Sequence, residues 1–99
     1  MEVCFAVPWI ESEAGWGQKP EGYKLFLDRD ACIRETKKAS NLFNKKDSKY
    51  YFGPVRPLVY YEVPMVCLPE AEVGRLKEKG ECFTGAAWEP KFKSQAYSI

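Results

Sequence analysis

The sequence predicts a small α+β domain, in which a mostly antiparallel or mixed sheet packs against one long and one short helix. Three observations support this class: strand-like segments near both ends of the chain, two segments with helical end signals, and an approximate order β-β-α-β-α-β. The chain has 99 residues, of which 45% are hydrophobic, and this suits a single globular domain over residues 1–99.

The first two predicted strands flank a segment rich in tryptophan, glycine and proline. The segment "EVCFAVP" is apolar on both faces, which is typical of a buried strand, and Pro8 is expected to end it. A long loop should follow, because glycines and prolines accumulate there. The second strand is predicted over Gly22–Asp28, where apolar and polar residues alternate.

A long helix is predicted from Arg29 to Phe43. Asp28 is a suitable N-cap, because its carboxylate can accept the free backbone N–H groups of the first turn. The residues expected to face the core follow one another at helical spacing. They are Cys32, Thr36, Ala39 and Phe43.

The middle of the chain predicts a loop and then an interrupted strand. The segment "NKKDSKYYFGPVRP", residues 44–57, is polar and rich in turn residues, so it predicts a long loop. "LVYYEV" has strong β propensity. Pro64 interrupts this strand and "MVCLP" is expected to continue it, at an edge or with a bulge.

A short helix and one or two short strands complete the predicted fold. The helix should run from Pro69 to Lys79, because Pro69 fits a first helical position and Gly80 a C-terminal stop. Short strands are predicted around Trp88–Phe92 and Ala96–Ile99.

The composition argues against catalysis and against a metal or other cofactor. The chain has no histidine, which removes the commonest general base and metal ligand. Its four cysteines lie far apart in sequence, so we expect free, mostly buried thiols rather than a metal site. Cys32, near the start of the long helix, is the best candidate for a reactive thiol. No catalytic motif is recognisable, so a non-enzyme is expected.

The sequence predicts a cytosolic protein that does not enter a membrane. No apolar run approaches the ~18–20 residues that a membrane span needs. The N-terminal segment has no basic start and too short an apolar stretch for a secretion signal. The net charge of +1 favours neither nucleic acid nor a membrane surface.

The leading hypothesis is a protein that acts by binding another protein. Residues 1–22 hold four Glu and one Lys, a net charge of −3. Tryptophans anchor interfaces because they offer a large rigid area and one N–H donor, and carboxylates steer a basic partner. The candidate contact residues are Trp9, Glu11, Glu13, Trp16 and Tyr23. Glu21 is expected to join Glu11 and Glu13 as an acidic rim. The alternative for the two tryptophans is that they fold back onto the sheet as core residues.

The sequence is also compatible with two other functions. Basic residues beside aromatic ones suit single-stranded nucleic acid, since cations bind phosphates and rings stack on bases. The candidate residues for that function are Lys45, Lys46, Lys49, Tyr50 and Arg56. The third alternative is a ligand-binding protein or enzyme whose pocket the sequence does not disclose. A homo-oligomer is also open, because Pro64 can leave a sheet edge unpaired.

One combination of motifs resembles small uncharacterised proteins of phages, prophages and other mobile elements. It comprises "W-G-x-x-P-x-G-Y-x-L-F" over residues 16–26, a Lys/Arg-rich helix, "YYEVP" and a second short helix. The resemblance covers the N-terminal 40 residues best and contains no catalytic motif. It implies an accessory protein that acts by binding, as an inhibitor of host defence, a modulator of host machinery or a small-ligand sponge.

Overall fold

A long β-hairpin forms the centre of the sheet. The computed structural model describes residues 2–13, 15–42, 50–85, 88–89 and 96–99. Strand β1 spans Val3–Glu13 and strand β2 spans Gly17–Phe26, paired antiparallel with a bulge between Trp9 and Ile10. The prediction of a long loop between the two strands is therefore wrong, because most of those residues belong to β1 and β2.

Pro8 does not end β1, contrary to the prediction. On the side of β1 opposite β2, strand β4 (Val59–Pro64) pairs with residues 3–6 and strand β3 (Tyr50–Pro54) pairs with residues 9–13. Pro8 lies at the gap between these two partners, where its carbonyl accepts the N–H of Val55 at 2.9 Å. The missing proline N–H thus falls where no strand needs a donor.

The sheet has six antiparallel strands among the described residues. Strand β5 (Glu81–Phe83) pairs with β2, and strand β6 (Ala96–Ser98) pairs with β4. The order is β5-β2-β1-β4-β6, with β3 on the same side of β1 as β4. The α+β class is confirmed, with more strands than the sequence predicts.

Three of the predicted segments differ from the structure. The predicted loop over residues 44–57 contains β3, while residues 43–49 lie outside the described part of the chain. "MVCLP" does not continue β4, because Met65–Cys67 form a 3-10 turn. Trp88 and Glu89 are not in a strand and residues 90–92 lie outside the description, whereas β6 agrees with the strand predicted at Ala96–Ile99.

Both helices begin and end close to where their sequence signals place them. Helix α1 spans Arg29–Leu42, and the Ala31 N–H donates to the Asp28 carboxylate at 2.9 Å, so the predicted N-cap is present. Helix α2 spans Glu70–Lys79 and ends at Gly80, whose φ of 80° is the left-handed conformation that glycine adopts readily.

The two faces of the sheet carry separate cores, one under each helix. Alternate residues of β1 point to opposite faces. Cys4 and Ala6 pack with Leu76 of α2, while Val7 and Trp9 belong to the cluster that includes Cys32 of α1. Burial of each large apolar side chain contributes about 1.5–3 kcal/mol. None of the described helices has the length and apolar character that crossing a bilayer requires.

Candidate functional site: the hairpin arm

The outer half of the central hairpin is a three-stranded extension of the sheet. Residues 9–13 of β1 lie between residues 17–22 of β2 and the five residues of β3. We call these three segments the arm. A strand of 11 residues is roughly 37 Å long at ~3.4 Å per residue, and the molecule measures 43 × 28 × 26 Å. The five β1 residues of the arm span about 17 Å of that strand at the same rise per residue.

A tight turn at the tip of the arm presents Trp16 to solvent. The Trp16 N–H donates to the Glu13 carbonyl at 3.0 Å, which closes the turn. Gly15 has φ of 88° and Gly17 has φ of 85°, a left-handed backbone that other residues adopt only with strain. The Trp16 side chain is 85% exposed. The glycines thus shape a turn that carries a large apolar ring outward.

Trp9 occupies the base of the arm and belongs to the core. It is 4% exposed, and its ring meets Phe52 and Phe83 edge to face at centroid distances of 6.2 and 5.4 Å. The Lys24 ammonium lies 5.3 Å from the ring centroid, which adds a cation–π contact. Trp9 therefore joins the arm to the body of the sheet, and its ring is not offered to a partner.

The carboxylates predicted to steer a basic partner gather on one face of the arm. Partial loss of hydration raises the pKa of the Tyr50 phenol, and the nearby charges of Glu11, Glu21 and Glu13 raise it further. The strand register agrees, because Glu13 is opposite Tyr50 and Glu11 is two residues before Glu13 on the same face of β1. Lys19 reaches Glu21 at 3.8 Å, so a cation from the described part of β2 lies beside these acids. In this acidic face Glu21, the third glutamate of the predicted acidic rim, also acts on the Tyr50 phenol.

Tyr23 does not join the other candidate contact residues. It pairs with Pro8 below the arm, and its ring meets Trp88 and Tyr61 edge to face at 5.5 and 6.4 Å. Its backbone N–H donates to the Thr84 hydroxyl at 2.9 Å. Tyr23 is half-buried against the α2-side core.

Two of the five residues of the nucleic-acid hypothesis, Tyr50 and Arg56, belong to the described part of the chain. Lys45, Lys46 and Lys49 lie outside the described residues. Tyr50 stands beside the carboxylates of the acidic face. Arg56 donates to the Ser40 carbonyl near the C-terminal end of α1 at 3.1 Å. Its guanidinium also lies 5.2 Å from the centroid of the Tyr51 ring.

A small cleft that the sequence did not predict lies beside Arg56. Its volume is about 360 Å³, and Ser12 and Gln18 of the arm line it together with Tyr51. Ser12 is opposite Gln18 in β2 and opposite Tyr51 in β3. The cleft depends on the pairing register of three strands, which no local sequence signal reveals.

Among the described residues, the two most buried thiols are not activated and the metal-binding side chains do not cluster. All four cysteines are free, and burial raises the pKa of Cys4 and of Cys32 to about 12. Both thiols therefore keep their protons at neutral pH, which makes Cys32 a poor nucleophile. Within the described ranges, no group of three or more cysteine or carboxylate side chains is arranged to hold a metal ion.

Comparison with known proteins finds no match among protein-family models, curated proteins or solved structures.

Proposed function

We propose that this chain is a non-catalytic cytosolic protein that binds another protein through the tip and the acidic face of the arm. The observation that carries the proposal is the exposure of Trp16, at 85%, on a turn supported by paired strands. Tryptophan gains more than most residues from burial, and it is enriched among the residues that dominate binding energy.

The construction of the arm supports the proposal. Strand β1 is paired on both sides along residues 9–13, and the buried Trp9 ring holds the base. A side chain on such a support is presented with little loss of backbone entropy on binding. The tip is thus prepared for contact before a partner arrives.

The expected partner carries an apolar pocket with basic residues around it. Trp16 would fill the pocket, and the carboxylates of Glu11, Glu13 and Glu21 would face the basic rim. The resemblance to accessory proteins of mobile elements adds to the proposal that the partner belongs to host machinery, including host defence.

The test is affinity capture from host lysate with and without nuclease, using wild type, Trp16→Ala and Leu27→Ala. Leu27 is also an exposed apolar residue, but it follows β2 at the end of the hairpin away from the tip, so it serves as the control. The proposal expects a protein that survives nuclease, is lost with Trp16→Ala and is retained with Leu27→Ala. Purified partner should then bind Trp16→Ala at least ~30-fold more weakly, as expected for a residue worth about 2 kcal/mol.

Other outcomes overturn the proposal and point to the alternatives. If nuclease removes the captured material and the affinity falls steeply as salt is added, the partner is a nucleic acid. The contact would then involve the segment from Lys45 to Arg56. A protein partner that both variants retain equally places the contact away from the tip. Capture of neither protein nor nucleic acid favours a small ligand.

A further inference from the structure

A second exposed apolar surface lies on the α2 side of the sheet, independent of the arm. A groove of about 1130 Å³ runs between the 3-10 turn and α2. Most of its lining is apolar, and it includes Val66, whose side chain is 85% exposed. A large apolar residue at such exposure beside an open groove marks a surface suited to contact.

One face of α2 borders this groove and carries small residues between two charged ones. Glu70, Ala71, Gly74 and Lys77 all line it, and their spacing places them on one side of the helix. The two residues in the middle are small, and a Cβ added at Gly74 would meet no heavy atom within 4 Å. Another helix can therefore approach this face closely, since the interaxial distance depends on the side chains at the crossing.

The charges at the two ends of this face have opposite signs. Glu70 lies in the first turn of α2 and Lys77 in the last turn. The midpoint between these two residues falls at the Val73–Gly74 bond, in the small part of the face. An antiparallel copy of the same helix, related by a two-fold axis there, brings Glu70 of each chain beside Lys77 of the other.

We propose that the occupant of this groove is a second copy of this chain, docked through an antiparallel α2–α2 contact. A two-fold contact needs a surface that complements itself, and the order acid, small, small, base meets that need. The antiparallel arrangement also places each negative helix end beside a positive one. Val66 adds apolar area to the same surface.

Within the monomer, Lys77 makes only a weak ion pair. Lys77 reaches Glu2 at 3.7 Å, but both side chains are more than half exposed, and such pairs are weak. Lys77 can therefore exchange Glu2 for Glu70 of the second copy. One short helix and a turn form an interface below the standard ~1,600 Å². The dimer is thus expected to dissociate on dilution.

The test is sedimentation equilibrium of the full chain over a wide concentration range, with charge-reversed variants. Glu70→Lys and Lys77→Glu each place two like-charge pairs at the contact, so each should weaken the dimer about tenfold or more. The double variant restores both pairs, and so does an equimolar mixture of the two single variants. Both should therefore dimerise close to the wild-type level.

The matched control is Asp30→Lys, which reverses an acid in the first turn of α1, in the helix on the opposite face. It should leave the dimer unchanged. Gly74→Lys is a second probe, because it improves helix propensity while placing two lysines near the two-fold axis, and it should abolish the dimer.

Three results would overturn the proposal. Wild type can stay monomeric up to millimolar concentration. The single reversals can leave the dimer intact, which would move the contact to a sheet edge. The double variant and the mixture can fail to recover, which would show that the two charges do not meet. A binding partner at the arm has no bearing on any of these outcomes.

Discussion

The base and the tip of the arm use the same residue type for opposite purposes. Trp9 and Trp16 are seven residues apart in one hairpin, yet the first is 4% exposed and the second 85% exposed. Trp9 sits where β1, β2 and β3 run side by side and Phe83 closes over it. Trp16 sits beyond the last paired residues. Trp9 is buried because aromatic rings from β3 and β5 cover it, whereas no such ring contact accompanies the exposed Trp16 among the described residues, so the same residue type packs in the core at one end of the arm and faces solvent at the other.

The largest expected effect comes from removing the buried Trp9 ring at the base of the arm. Trp9→Ala should lower the free energy of unfolding by about 3–5 kcal/mol, because it empties a space among Phe52, Phe83 and Lys24. Urea denaturation followed by circular dichroism measures this loss. A decrease below about 1 kcal/mol would mean that Trp9 does not hold the arm to the body.

Two glycines of the hairpin allow a second comparison between the base and the tip of the arm. At the base, a Cβ on Gly22 would lie 2.9 Å from the Gly85 carbonyl oxygen, and φ there is 96°. Gly22→Ala should therefore add a steric clash to backbone strain and cost about 2–4 kcal/mol. At the tip, Gly15 also has positive φ but open space, so Gly15→Ala should cost about 1–2 kcal/mol from strain alone. Equal losses in thermal denaturation would contradict this difference.

The buried thiols of Cys4 and Cys32, one in each core, should make the protein less stable at alkaline pH. Burial raises the pKa of Cys4 and Cys32 from 9.0 to about 12. Below pH 9 folded and unfolded chains both keep these protons, so the full stability is present. Between pH 9 and 12 the unfolded chain loses them first, and stability should fall by up to about 1.4 kcal/mol per thiol per pH unit.

Serine variants separate this effect from other titrations. Cys4→Ser with Cys32→Ser should flatten the pH dependence measured by urea denaturation between pH 8 and about 11, because serine does not ionise in that range. An unchanged slope would assign the alkaline loss to tyrosines and lysines instead.

The smallest expected effect is at the tip. Trp16→Ala should change the free energy of unfolding by no more than ~0.5 kcal/mol, because the ring is mostly in water. Thermal melts of wild type and the variant should overlap, with Trp9→Ala as the contrasting case. A large drop would place Trp16 in the core and remove the main support for binding through the arm.

The sequence predicted the helices better than the strands. Asp28 and Gly80 act through the backbone within a few residues, so the start of α1 and the end of α2 were predictable. The length of β1 was not, because Pro8 is tolerated only where β4 stops and β3 begins. Tyr50–Pro54 became a strand because it pairs with a segment about 40 residues earlier in the chain. Such pairing leaves no local signal.

For the candidate site too, the sequence determined some features and the tertiary structure determined others. The sequence alone determined that the N-terminal segment is acidic, that two tryptophans and three glycines lie close together there, and that histidine chemistry is absent. Only the tertiary structure decided that Trp9 is buried, that Trp16 is exposed and that Glu11, Glu13 and Glu21 all act on Tyr50. Composition and chain order are local properties, whereas burial and shared faces depend on strand register and on neighbours distant in sequence.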